Sequence, residues 1–181
     1  MPREVRTDKG VDMDHLAIAR QLAHNTETIH SYVNGLTVEQ ARWKPTPNDW
    51  SILEVINHLY DEEREDFRVR IDYTLHRPGE DPPGIDPVGW VTARCYNQRA
   101  LAESVQNFTR ERQHSIAWLE GLVALDWDQK YKRPPFEISA GSLLASWLAH
   151  DFLHLRQLTE LHYAWVKQTS EPFQIAYAGD W

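Results

Sequence analysis

The sequence predicts an all-α four-helix bundle, and three observations carry that expectation. Four long stretches repeat apolar residues at the three- and four-residue spacing of a buried helix face. The segments between them hold most of the prolines and glycines, and no convincing series of strand-type alternation interrupts the pattern. With 181 residues, 41% apolar and 25% charged, the chain is long enough for a single domain, 1–181, with a substantial core.

The first helix is expected from Asp14 to Val33, buried along Leu16, Leu22, Ile29 and Val33 and stopped at Asn34-Gly35. A short helical turn follows from Thr37, with Gln40 placed to complete a capping box and with Trp43 and Trp50 as anchors. The second helix starts sharply at Ser51, because Ser51-x-x-Glu54 lets hydroxyl and carboxylate satisfy each other's free amides, and it runs to His76. Its inward face reads Ile52, Val55, Ile56, Leu59, Phe67, Ile71 and Leu75. The charge run Asp61 to Asp66 on the same helix reads as a solvated face laced by Asp66–Arg70 and Glu65–Arg68 pairs, with Glu62 as the possible exception.

Residues 77–89, with four prolines and three glycines, are expected to be a non-helical crossover. Thirteen extended residues reach about 45 Å, enough to return along a helix of about 26 residues and 39 Å, so the two flanking helices can be parallel. The third helix is expected from Trp90 to Leu122, buried along Tyr96, Leu101, Val105, Phe108, Ile116 and Leu119. Asp126 to Ile138, with Pro134-Pro135, is a connector, and the fourth helix opens at Ser139 as N-cap. Residues 171–181 read as an extended tail whose Phe173, Ile175, Tyr177 and Trp181 lie on the bundle or on a partner.

Composition narrows the function. A net charge of -8 without a basic stripe argues against nucleic acid as a partner. The segment MPREVRTDKG lacks an apolar core of signal type, and no run suits a membrane span, so a cytoplasmic protein acting on a small molecule is expected. The single cysteine, Cys95, excludes an internal disulfide and a cysteine-rich zinc site, and reads as packing.

The fourth helix carries the feature that suggests chemistry. Leu143, Trp147, His150, His154, Leu158, Leu161 and Trp165 share one helix face, so two imidazoles interrupt an apolar seam. An unpartnered buried polar group costs roughly 1 to 3 kcal/mol, so each ring requires a hydrogen bond, an exposed edge or a metal. His58 lies at the edge of the buried face of the second helix, about two turns from its start. In an antiparallel pairing its height matches that of His154. Spacing alone permits three imidazoles around one ion, and equally permits three core histidines.

The stretch WSILEVINHLYDEE from Trp50, followed far downstream by HDFLHLRQL from His150, resembles the DinB and YfiT-like family of metal-dependent proteins. The likeness extends to the Trp43–Pro45 element and to Tyr177–Gly179, and so covers essentially the whole chain. It implies a four-helix bundle of up-down-down-up topology with a long crossover between the second and third helices. It also implies a divalent ion, zinc or nickel first with iron or manganese as further options, held by His58, His150 and His154. A homodimer is implied as well. Three neutral imidazoles leave coordination positions open, the arrangement of a catalytic centre.

The resemblance points first to thiol-dependent S-transfer, in which a low-molecular-weight thiol cosubstrate is activated at the ion. It points second to hydrolysis by metal-bound hydroxide, and third to a non-enzymatic, stress-linked metal or small-ligand binding protein. Glu62, one turn beyond His58, is the carboxylate nominated as general base or fourth ligand, against the competing reading of a surface carboxylate. Trp147, one turn before His150, is the tryptophan nominated to line a substrate pocket. The other six histidines, His15, His24, His30, His76, His114 and His162, have no spacing that couples them to these three.

Overall fold

The fold is described from a computed structural model, over residues 13–123, 125–133 and 135–179. The segment MPREVRTDKG, Pro134 and Trp181 lie outside the described residues. Helix α1 spans His15–Val33 and opens on Asp14, whose carboxylate accepts from Ala17 N. A short α2, Val38–Arg42, is capped by Thr37. Ser51 and Glu54 form the expected capping box, and α3 runs Ile52–Glu62 from it. A π-helical turn, Glu63–Phe67, joins α3 to α4, Arg68–His76, so that the three make one long rod.

After the crossover come α5, Pro87–Ala93, a 3-10 turn at Tyr96–Gln98, and α6, Leu101–Gly121. A two-stranded antiparallel hairpin, β1 Lys130–Arg133 and β2 Phe136–Ser139, leads into α7, Ala140–Thr169, with Ser139 as N-cap. A last 3-10 turn spans Ala176–Ala178.

Cross-helix contacts fix the directions. Leu22 O and His30 on α1 meet Arg112 and Thr109 on α6, so these helices are antiparallel. Asn25 and Tyr32 meet Asp151 and Thr159 on α7, in parallel. Asn57 and Arg68 on the rod meet Ser104 and Ser115 on α6, also in parallel. The order is therefore up-down-down-up, and the crossover from His76 to α5 joins the two parallel neighbours.

The core is divided along the bundle axis. One apolar cluster packs Ile29, Val33, Ile56, Leu59, Phe108 and Leu158, and the other packs Leu22, Phe67, Ile71, Leu119, Leu144 and Trp147. On every helix the residues between these clusters are polar, and they form a buried layer: Asn25 on α1, Glu63 in the π turn, Arg112 on α6, Asp151 on α7. Arg112 and Asp151 have no exposed surface. The guanidinium donates to Glu63 Oε1 from Nε at 2.8 Å, to Asp151 from both Nη at 2.7 Å, and to Leu22 O at 3.1 Å.

Several expectations are corrected. The third helix does not run unbroken from Trp90: α5 begins inside the predicted crossover, with Pro87 in its first turn and Asp86 capping Gly89 N, and it ends at Ala93. Cys95 then adopts the left-handed region at φ 50°, which turns Tyr96 into the core, where its hydroxyl donates to Asp61. Three hydrogen bonds to the preceding elements compensate the break: Asn97 accepts from Ser51 Oγ and donates to Arg42 O, and Arg99 donates to Asn57. Cys95 itself is exposed, not packed.

Leu16 is 41% exposed, outside the buried stripe. Residues 130–139, expected as a connector, contain the hairpin, whose Tyr131 hydroxyl donates to Asp81 in the crossover. In the tail Phe173 and Tyr177 are exposed, so neither side chain lies on the bundle.

The charge run departs furthest from expectation, because Asp61, Glu62, Glu63 and Asp66 are all buried. Asp66 does pair with Arg70, whereas Arg68 reaches Glu111 in place of Glu65. Glu65 and Asp61 share Arg64 and Arg94. Substituting Arg112→Met should destabilise the fold by at least about 3 to 5 kcal/mol, because two buried carboxylates would lose their cation together. Urea unfolding followed by circular dichroism measures it.

Candidate metal centre

The three histidines named from the sequence meet beside the polar layer. His58 is carried by α3 and His150 and His154 by α7, and one nitrogen from each ring lies within 4.8 Å of the other two. The convergent atoms are the Nε2 nitrogens: His150 Nε2 stands 3.3 Å from that of His58 and 3.1 Å from that of His154. Antiparallel packing of α3 on α7 sets the height, and the i,i+4 spacing sets the pair. No other residue belongs to this cluster among those described.

The rings are held from behind. Gln157 Oε1 sits 2.8 Å from His154 Nδ1, and since a carbonyl oxygen only accepts, the ring proton lies on Nδ1 and the Nε2 lone pair faces the centre. Trp50 meets His58 edge-on at 4.8 Å and lies parallel to His154 at 6.4 Å, while Phe67 packs against His150 at 5.1 Å. His58 Nδ1 is buried without a hydrogen-bond partner, so packing holds that ring.

Burial, followed by the neighbouring rings, lowers the pKa of His58 to about 2 and that of His150 to about 3. Burial lowers His154 also, against its bond to Gln157. Three neutral imidazoles whose Nε2 atoms stand this close can turn their lone pairs on one divalent ion. The donor set fits a divalent metal ion.

Glu62 is 4% exposed rather than a surface carboxylate, and it lies outside the three-nitrogen cluster. Burial, then the charge and hydrogen bond of Asp66, push its pKa up to about 8. At neutral pH it therefore carries a proton, which suits a donor better than a base. Trp147 is 1% exposed; its ring stacks on Phe67 and its indole N–H donates to Glu63 Oε1 at 2.7 Å.

The tryptophan against the histidines is Trp50, which sequence reasoning treated as an anchor only. Its place immediately before the Ser51 cap, two turns from His58, was the available signal. His30 and His162 are engaged elsewhere, by Thr109 and by Tyr32 O. No described helix is long and apolar enough to cross a membrane.

Replacing Glu62→Gln tests the pKa assignment. Between pH 4.5 and about 8 the folded chain keeps a proton that the unfolded chain releases, so this group's contribution to stability is lost as pH rises through that window. The variant should therefore gain on the wild type by on the order of 1 kcal/mol or more between pH 4.5 and 8 in metal-free buffer. A gain independent of pH in denaturant titrations would contradict the assignment.

Comparison with known proteins agrees with this geometry. The family model described as the DinB superfamily matches residues 21–158. YfiT from Bacillus subtilis, described as a probable metal-dependent hydrolase with an unusual four-helix bundle topology, superposes with a TM-score of 0.74. The two are 17% identical, and the match covers 90% of this chain and 91% of that one. Comparison with curated proteins gave no match. The chain belongs to the DinB superfamily.

Proposed function

We propose that this DinB superfamily member is a metal-dependent hydrolase whose ion is bound by His58, His150 and His154. The single observation that supports the reading most is the convergence of three neutral imidazole Nε2 atoms on one point. The description of YfiT as a probable metal-dependent hydrolase supports the same reaction class. When bound, a divalent ion supplies Lewis acidity, polarising a carbonyl or phosphoryl oxygen and lowering the pKa of water.

The residues of the chain supply the rest. Gln157 fixes the tautomer and plane of His154. Trp50 and Phe67 shield the rings, so that charge developing at the site is weakly screened. Glu62, protonated at neutral pH, would give its proton to the leaving group and recover one from the water consumed in hydrolysis.

Thiol-dependent transfer would use the same three ligands, and the disposition of the arginines weighs against it. Arg64, Arg70, Arg94 and Arg112 are each committed to carboxylates, which leaves none of the four for the anionic groups of a thiol cosubstrate. Zinc or nickel is the first choice of ion because imidazole donors suit both.

Turnover of a panel of activated esters and phosphoesters by the zinc- or nickel-loaded protein tests the proposal. It should occur without added thiol, stop on chelation, and fall roughly 100-fold or more in His154→Ala with the helical circular dichroism intact. Turnover that appears only with an added thiol would establish transfer instead.

A further inference from the structure

A cavity of about 430 Å³ lies where the chain breaks before α6, bounded by α2, α3 and the first turn of α6. Its apolar walls come from Leu36, Val38, Ala41, Leu53 and Leu101. Leu53 and His58 are five residues apart on α3, about 140° around the helix, so the cavity and the three histidines occupy different faces. Leu53 is 1% exposed, whereas Val38 is 61% exposed and stands at the rim. Leu101, an inward position by sequence, is only half-buried and lines this space. Size and lining suit a small organic ligand.

The charged residues of the lining are Arg42 and Arg99, with no carboxylate among them. That is unusual in a chain of net charge -8, where Arg64, Arg68, Arg70, Arg94 and Arg112 each hold a carboxylate. Both guanidiniums are anchored by uncharged groups instead. Arg42 Nη2 donates to Gln98 O at 3.2 Å and to Arg99 O at 3.3 Å, which makes the two cationic residues neighbours. Arg99 Nη1 donates to Asn57 Oδ1 at 2.8 Å, and its Cζ lies 4.9 Å from the centre of the Tyr96 ring. Nε and Nη1 of Arg42, and Nε and Nη2 of Arg99, meet no acceptor among the described residues. Held cationic donors beside apolar walls match an anionic group that carries an apolar chain. A neutral ligand would leave the donors unused, and a bare inorganic anion would leave the walls in water.

We propose that this cavity binds a small amphiphilic carboxylate of the medium-chain fatty-acid class. Its carboxylate is received by Arg42 and Arg99, whose planar forks fit two oxygens, and its alkyl chain lies along Leu36, Leu53 and Leu101. Each methylene taken out of water tightens such binding roughly fourfold. The inference uses none of the three histidines, so it stands or fails apart from metal-dependent hydrolysis.

Isothermal titration calorimetry of the chelator-treated full chain with sodium octanoate tests it. Removing metal beforehand prevents the carboxylate from binding an ion at the histidines. Octanoate should bind saturably at about one per chain, and acetate, without the chain, and 1-octanol, without the charge, should each bind at least roughly 10-fold more weakly. Arg42→Gln removes one cation and should weaken octanoate roughly 10-fold or more. Val38→Glu sets a carboxylate at the rim and should weaken it at least as much. Both positions are exposed, so the helical circular dichroism should be unchanged. Arg110→Gln, at an exposed position on α6 away from the cavity, removes an equal charge and should change affinity by less than about twofold.

No saturable octanoate binding by the wild type would overturn the proposal. So would equal affinity for 1-octanol, which would reduce the site to an apolar hollow, and so would octanoate affinity unaltered in both Arg42→Gln and Val38→Glu, which would place the ligand elsewhere.

Discussion

The fully buried guanidinium of Arg112 is the interaction on which the arrangement of the bundle depends. Its donors end on Leu22 O of α1, on Glu63 of the π turn and on Asp151 of α7, so one side chain from α6 binds all the other bundle helices. Apolar packing alone tolerates sliding of one helix along another, because a hydrophobic contact has no preferred direction. A planar group with five donors and fixed acceptors does not. The polar layer thus sets the register in which α3 meets α7, and that register brings His58 to the height of His150 and His154.

The same layer gives an account of why the rod is distorted at its middle. Glu63–Phe67 is wound as a π turn where the chain passes from one apolar cluster to the other. Glu63 and Phe67 both reach Trp147 on α7, and Phe67 also packs on His150. Wider turns of this kind are frequent at functional sites, where the placement of a few side chains outweighs regular hydrogen bonding.

Much of this was legible in the sequence, and the parts that were not share one physical reason. The capping box at Ser51 and Glu54 and the N-caps Asp14 and Ser139 are local signals, and each marked its helix start. His58, His150 and His154 could be selected because a polar residue within an apolar stripe is informative at any spacing. Burial of the acidic run was invisible, since a carboxylate paired with Arg112, forty-nine residues away, has the same local pattern as one facing solvent. The break at Cys95 was hidden similarly: Tyr96 is drawn inward by Asp61, a partner on another element. Trp50 was overlooked because its contacts to His58 and His154 follow from the packing of α3 on α7, not from its own neighbours.

The account comes down to one centre built from uncharged donors on two helices, set in register by the polar layer beside them. X-ray absorption spectroscopy of the protein loaded with one equivalent of zinc or nickel examines that centre most directly. Three imidazole scatterers in the first coordination shell, reduced to two in His58→Ala, are the predicted result. A shell of water or carboxylate oxygens, or one unaltered by that substitution, would contradict it.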